Sequence, residues 1–311
     1  MRNSFFSKTS TGLEISPGRV TFALVGGSVA SPRIDRVASS PLPANALRIS
    51  IRELNVLDAE CFVNSVRSAH NLLLCRNNKV SVTLPDSVGR IVLLDLETRF
   101  KSRLEALDLI RWKLKKSIPF DLADTHLDYQ QLAVRENGDL ALLVALVSRT
   151  VISQYEGLLT EAGLTPARID FNSFNLCRAF ERRLSLSEDC ILISFYDGTL
   201  GIMAFTQGAP EFIRTKDLSG TLAVDNRLFM EVNSSLLIYR ERFPDHTAQT
   251  IFCMAPPELA QNFLEMVAEA TGLSPVPLEI KTVVTPGENS PGDQKALFPC
   301  TAAIGAALRS L

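Results

Sequence analysis

Apolar and polar positions alternate, then recur at helical spacing, and the chain runs through this cycle twice. The stretch "GLEISPGRV" (12–20) alternates into a turn at Pro17-Gly18. It leaves through "VTFALVGG", so a β-hairpin is predicted. Asp58 then reads as an N-cap, with Phe62, Val66, Ala69 and Leu73 following at the spacing of a helix. "KVSVTLP" (79–85) alternates and stops at a proline, which marks a strand, and "IVLLDL" (91–96) is another. Ser102 to Glu105 is a capping box. It opens a helix with an apolar stripe of Leu104, Leu107, Ile110 and Leu114 and a face carrying Arg111, Lys113, Lys115 and Lys116. That face reads as solvated, its cations suiting the helix C-terminus, with an acidic partner surface as the alternative. The helix ends at Ile118-Pro119-Phe120. Asp121 and Asp124 beyond it read as turn caps rather than an acid/base pair. "HLDYQQLAV" and "LALLVALV" follow as strands joined through Asn137-Gly138, a hairpin signal.

A helix from about Thr150 to Ala162 stops at Gly163, and "ARIDFNSFNLCRAF" reads as a short strand and a helix. The cycle then restarts. "CILISFYDGTLGIMAFTQGAPEFIRT" (190–215) is three strands turning at Asp197-Gly198 and Gln207-Gly208. A long helix follows with Leu228, Val232, Leu236, Tyr239 and Phe243 on one face; core packing explains this stripe without a membrane surface. The strand "TIFCMA", a helix between Pro256-Pro257 and Gly272, the strand "PVPLEI" and a polar Gly/Pro-rich loop (285–294) come next. The small, apolar last helix, "TAAIGAALRSL", is suited to close packing on the body. Two related α/β lobes, with a small α+β module inserted in the first, account for this order.

Composition narrows the function classes. A net charge of −2 leaves no global basic field, so no nucleic-acid partner is expected. No apolar run reaches the roughly 18–20 residues of a membrane helix, and the N-terminus lacks the apolar core of a secretory signal. The six cysteines are scattered singly, which reads as reduced core residues of a cytosolic protein. His70, His126 and His246 have no metal-ligand spacing, so no metal is expected. G-x-S-x-G and G-x-x-x-x-G-K-[ST] are both absent, which argues against a hydrolase elbow and a P-loop.

Two lobes, each opened by a glycine-bearing hairpin, resemble the actin-like (ribonuclease H-like) ATPase fold. Within it the chain resembles the PilM family of type IV pilus assembly. "GLEISPGRV" is similar to the family's opening "GLDIGSSSV". Ile118, Pro119, Phe120, Leu122, Asp128, Tyr129 and Gln130 match its IPF…DYQ segment, the most specific of the matches. "EVNSSLLIYRERF" and "AAIGAALR" are similar to its later helices. The resemblance implies a first lobe of residues 1–78 and 148–186, an inserted module of 79–147 and a second lobe of 187–311.

In actin-like ATPases both hairpin turns hold phosphates through backbone N–H groups, an Asp in each organises Mg²⁺, and glycines admit the ligand. Gly12, Glu14, Ser16, Gly18, Arg19, Ser194, Gly220 and Ala255 occupy those positions here. Glu14 and Ser194 replace the two aspartates, and Pro17 has no N–H to offer. Phe195 and Tyr196 stand where the second hairpin should be small, and Ala255-Pro256 replaces a later glycine pair. Phosphoryl transfer depends on metal and positioned charge, so no ATP hydrolysis and no cofactor are expected; bound ATP is the disfavoured alternative.

The resemblance implies a cytoplasmic scaffold, peripheral to the inner membrane through its partner. It would bind the N-terminal cytoplasmic tail of a PilN-type membrane protein and link it to pilus motor components. An extended tail pairs with an exposed strand, and Ile118, Phe120, Leu127 and Tyr129 are the candidate tail-binding residues. The alternatives are a nucleotide-binding actin-like ATPase or switch, and a type II secretion scaffold of the GspL type. That last family continues into a membrane span, and none precedes Leu311 here.

Overall fold

The structure, a computed structural model, describes residues 9–97, 99–118, 121–221, 223–246 and 248–311. In chain order it places β1 (Thr9–Ser16), β2 (Arg19–Ser28), β3 (Ser31–Pro41), α1 (Ala59–Leu72), β4 (Lys79–Leu84), β5 (Gly89–Leu96), α2 (Arg103–Leu114), β6 (Thr125–Val134) and β7 (Leu140–Ser148). Then come α3 (Arg149–Glu161), β8 (Thr165–Phe171), α4 (Asn172–Leu184), β9 (Cys190–Tyr196), β10 (Thr199–Thr206) and β11 (Ala209–Asp217). The last elements are α5 (Asn226–Arg242), β12 (Thr250–Met254), α6 (Ala260–Thr271), β13 (Val276–Pro277), β14 (Thr285–Pro286), α7 (Gln294–Leu297) and α8 (Thr301–Leu308).

One topology is used twice. The first sheet runs β14-β3-β2-β1-β4-β8 and the second β11-β10-β9-β12-β13. In each, an antiparallel three-stranded meander is extended by parallel strands beside its first member. β4 had been expected to begin the inserted module, but its pairing with β1 and β8 puts it in the first sheet. The module's own sheet, β5-β7-β6, starts at Gly89. Sequence alternation marked β4 as a strand but held no information about which sheet it joins.

Among the described residues, apolar side chains gather in four clusters. One lies under α1 and α3, with Phe22, Phe62 and Tyr155 buried in it. Another lies under α5 and α6, where the expected stripe Leu228, Val232, Leu236 and Tyr239 is buried. The module has its own, formed by α2 on the β5-β7-β6 sheet. On α2 the buried positions are Ala106, Ile110 and Leu114; Leu104, expected in the stripe, is 69% exposed. It sits in the first turn of the helix, rotated off the face that Ile110 and Leu114 define.

The remaining cluster joins the lobes. Ala23, Val25 and Ile34 of the first sheet meet Leu192, Tyr196, Phe252 and Met254 of the second, with α4 and α8 between them. Helix α8 is buried along its whole length. Its approach depends on two glycines. A Cβ at Gly12 would overlap the Ala303 carbonyl, and one at Gly305 would overlap the Asn175 carbonyl. Both positions lack a side chain because backbone is packed against them.

Candidate functional site

Two places merit attention: the cleft between the lobes, and a groove beside the module. In the cleft, β1 carries Glu14 and β9 ends at Tyr196. Tyr196 Oη lies 2.7 Å from Glu14 Oε2 and 3.1 Å from the Pro299 carbonyl oxygen, and both side chains are buried. The Tyr196 ring packs against Phe298, with centroids 5.4 Å apart. The backbone N–H of Ala303, in the first turn of α8, faces the Glu14 carboxyl, and that of Ala302 donates to Tyr196 Oη at 3.5 Å. The donors that a helix N-terminus offers to an anion are thus turned toward the protein's own side chains.

Ionisation in the cleft follows from burial. Desolvation, then the charge of Asp197, pushes Glu14 up to about 8, against opposing contributions from Tyr196, Arg19 and Ala303. Burial first, then Glu14, raises Tyr196 well above its ordinary value. Asp197 is also raised, chiefly by desolvation, with Arg19 and the Ser16 hydroxyl opposing. Ser16 Oγ donates to the Arg19 carbonyl at 3.3 Å.

Of the eight cleft candidates, Glu14, Ser16 and Arg19 form one network with Tyr196 and Asp197. Gly12 serves the packing of α8 rather than a ligand. Gly18 is exposed in the β1–β2 turn, with open space where a Cβ would be. Ser194 is buried and donates to the carbonyl of Gly201 in its own hairpin at 3.4 Å. Gly220, at φ +89°, closes a turn whose Ser219 touches Gly198. Ala255, half-buried after β12, packs on the second lobe's core. Tyr196 and Asp197 were not picked out as cleft partners. Their signal was the bulky pair Phe195-Tyr196 where glycine belonged, read only as a loss. Among the described residues no cluster of three or more His, Cys, Asp or Glu is arranged to hold a metal ion.

The groove has a volume of about 1190 Å³. It runs between the module, the first lobe and the second-lobe hairpin. Its walls include β6 (Asp128, Gln130, Leu132) and β8 (Pro166 to Phe171), each the terminal strand of its sheet. Leu143 and Ala145 of β7, Phe174 of α4, and Met203 and Phe205 of β10 supply apolar surface. Charges of both signs line it: Arg149, Arg168 and Arg178 with Glu156 and Glu181, and Arg309 paired with Asp170 at 3.2 Å.

The expected tail-binding residues divide. Tyr129 borders the groove while packing edge-on against Phe100 at 5.7 Å. Leu127 is 5% exposed and belongs to the module core beneath α2, with Ile118 packed against the same cluster. The alternation of β6 sends Leu127 and Tyr129 to the α2 side and Asp128, Gln130 and Leu132 toward the groove. Phe120 lies outside the described residues. The Asp121 carboxylate caps its turn as expected, accepting from Ala123 N at 2.8 Å, whereas the Asp124 carboxylate reaches out of its turn and accepts from Thr150 Oγ1 of α3 at 3.3 Å.

Comparison with solved structures identifies the architecture. A structure described as a PilM-PilN type IV pilus biogenesis complex superposes with a TM-score of 0.81 at 18% identity, covering 96% of this chain and 98% of that one. The cytoplasmic domain of Epsl, an inner membrane component of the Vibrio cholerae type II secretion system, gives 0.54 at 12% identity, covering 98% and 96%. A Bacteroides thetaiotaomicron protein with an actin-like ATPase fold and unknown function gives 0.53 at 11%, covering 96% and 99%. The repeated sheets and the interlobe cleft therefore define an actin-like protein. The family model of the type IV pilus assembly protein PilM matches residues 12–191. The chain belongs to the PilM family of type IV pilus assembly proteins. Comparison with curated protein sequences finds no match.

Proposed function

We propose that this chain is a non-hydrolysing scaffold. It holds the N-terminal tail of a PilN-type inner-membrane protein in the groove and links that protein to the pilus motor, on the cytoplasmic face of the membrane. The observation that carries the reading is the groove, a trough with apolar surface and charges of both signs, bounded by two terminal strands. Terminal strands offer unpaired backbone donors and acceptors to an extended peptide, and the apolar floor accepts alternate side chains. The likeness to a structure named for a PilM-PilN complex supports the choice of partner. No helix among the described residues is long and apolar enough to cross a membrane, which fits attachment through that partner.

The absence of hydrolysis is part of the proposal. It is supported by Ser194, whose hydroxyl is turned into its own hairpin, and by Tyr196 and Phe298 packed together in the cleft.

Fluorescence anisotropy with a labelled PilN-type tail peptide tests the reading. Ala145→Arg puts a cation into the half-buried trough and is expected to weaken binding at least about tenfold, roughly 1.4 kcal/mol, with thermal stability retained. Equal binding by the folded variant would move the tail elsewhere. Turnover of Mg-ATP by the purified protein would overturn the non-hydrolysing part.

A further inference from the structure

We propose that Glu14 and Tyr196 form a latch between the lobes, held closed by a proton on the Glu14 carboxyl. Tyr196 Oη is within hydrogen-bond distance of two acceptors, Glu14 Oε2 in the first lobe at 2.7 Å and the Pro299 carbonyl at 3.1 Å. A phenol has one proton and can satisfy one of them. If Glu14 is a carboxylate, it takes that proton and the Pro299 oxygen faces Tyr196 without a hydrogen between them. If Glu14 is neutral, its O–H donates to Tyr196 Oη and Tyr196 donates to Pro299. The Ala302 N–H then approaches the second lone pair of Oη. Every short contact is used once only in the neutral form.

The surroundings favour that form. Glu14 is 1% exposed, and its Oε1 is buried and makes no hydrogen bond, the Ala303 N–H facing the carboxyl without completing one. A bare oxygen of this kind is far more costly on an ionised carboxylate than on a neutral acid. The titratable or charged groups facing Glu14 are Tyr196, Asp197, Arg19 and, more weakly, Cys300. The cation Arg19 opposes protonation, but burial and Asp197 outweigh it, consistent with the rise to about 8.

The latch adds a proton-dependent contact to polar contacts already joining these parts, among them the Arg309–Asp170 ion pair at 3.2 Å and the Ser81–Ser310 hydrogen bond at 2.6 Å. Glu14 lies on β1, Tyr196 ends β9, and Pro299 leads into α8, which rests on the first sheet. When the proton leaves to solvent, Tyr196 turns its hydrogen to the Glu14 carboxylate and Pro299 loses its donor. The closed cleft then contains a buried charge, and the contact between lobes weakens.

The test compares the wild type with Glu14→Gln, an isostere that cannot ionise. A carboxyl pKa raised in the folded state adds stability that is fully present below the unfolded value, near 4.5, and is lost as pH rises toward 8. The melting temperature of Glu14→Gln relative to the wild type is therefore expected to climb from pH 5 to pH 8 and then level off. Taking this difference cancels Asp86, which burial raises to about 6 in both proteins. The infrared difference spectrum, wild type minus Glu14→Gln, at pH 6 cancels the Asp86 band and should show a protonated-carboxyl stretch that vanishes above about pH 9. In the double variant with Tyr196→Phe, the pH-independent cost should be no greater than that of Tyr196→Phe alone. A constant melting difference from pH 5 to pH 9, or no Glu14 carboxyl band at pH 6, would overturn the proposal.

Discussion

In the interlobe cleft, the chain's own side chains pack against one another across the two lobes. Tyr196 meets Glu14, Phe298 packs on the Tyr196 ring, and α8 turns its first N–H groups inward. In the groove, β6 and β8 end their sheets and leave a trough of about 1190 Å³. The two regions differ in what completes them. Tyr196 and Glu14 Oε2 in the cleft find partners within the chain, so that region contributes cohesion. The strand edges of the groove have partners on one side alone, which is the condition for accepting a further strand.

The sharpest way to break this comparison is to force the cleft apart. Gly12→Ala and Gly305→Ala each place a methyl into backbone carbonyl, at Ala303 and Asn175 respectively. Overpacking of this severity is expected to cost about 3 kcal/mol, read by urea unfolding; wild-type midpoints would mean that α8 is not tightly seated.

A smaller loss separates the two faces of β6. Leu127→Ala empties a buried position of the module core and is expected to cost about 2 kcal/mol. At temperatures where the variant is folded, tail binding should persist. Loss of binding with an intact module would return Leu127 to the recognition surface.

The smallest expected effect concerns how the module meets the second lobe. Arg135 bridges Asp95 of β5, at 3.1 Å, and Glu211 of β11. His246 Nδ1 lies 3.9 Å from Glu211. Arg135→Ala is expected to cost about 1 kcal/mol, less in high salt, as measured by thermal melts at two ionic strengths. A salt-independent change of several kcal/mol would mean that the bridge is a desolvated anchor.

Much of the secondary structure was legible because local patterns carry it. Asp58 caps α1, accepting from Cys61 N at 2.9 Å, and Gly272 ends α6 in the left-handed region. The Asn137-Gly138 turn joins β6 to β7, with Gly138 at φ +90°. The third strand of the first sheet was not legible. β3, "SPRIDRVASSP", has prolines at both ends and mixes polar with apolar residues on each face, because only Ile34, Ala38 and Pro32 are buried in it.

The cleft was half legible. The resemblance directs attention to Glu14 and Ser194, which stand where the fold's aspartates are expected. That Tyr196 reaches back to Glu14, 182 positions away in sequence, is a tertiary fact that no local pattern encodes. The groove was less legible still. Its walls come from β6, β7, β8, α3, α4 and β10, and alternation in β6 shows that neighbours point oppositely without showing which side is filled. Leu127 looks like a binding residue in sequence, yet α2 already covers it.

Hydrogen exchange of the intact protein, alone, with a PilN-type tail peptide and with Mg-ATP, tests the central contrast most directly. The account expects the peptide to slow exchange along β6 and β8, and Mg-ATP to leave the β1–β2 and β9–β10 turns unchanged. Protection of those turns by Mg-ATP, with β6 and β8 indifferent to the peptide, would contradict it.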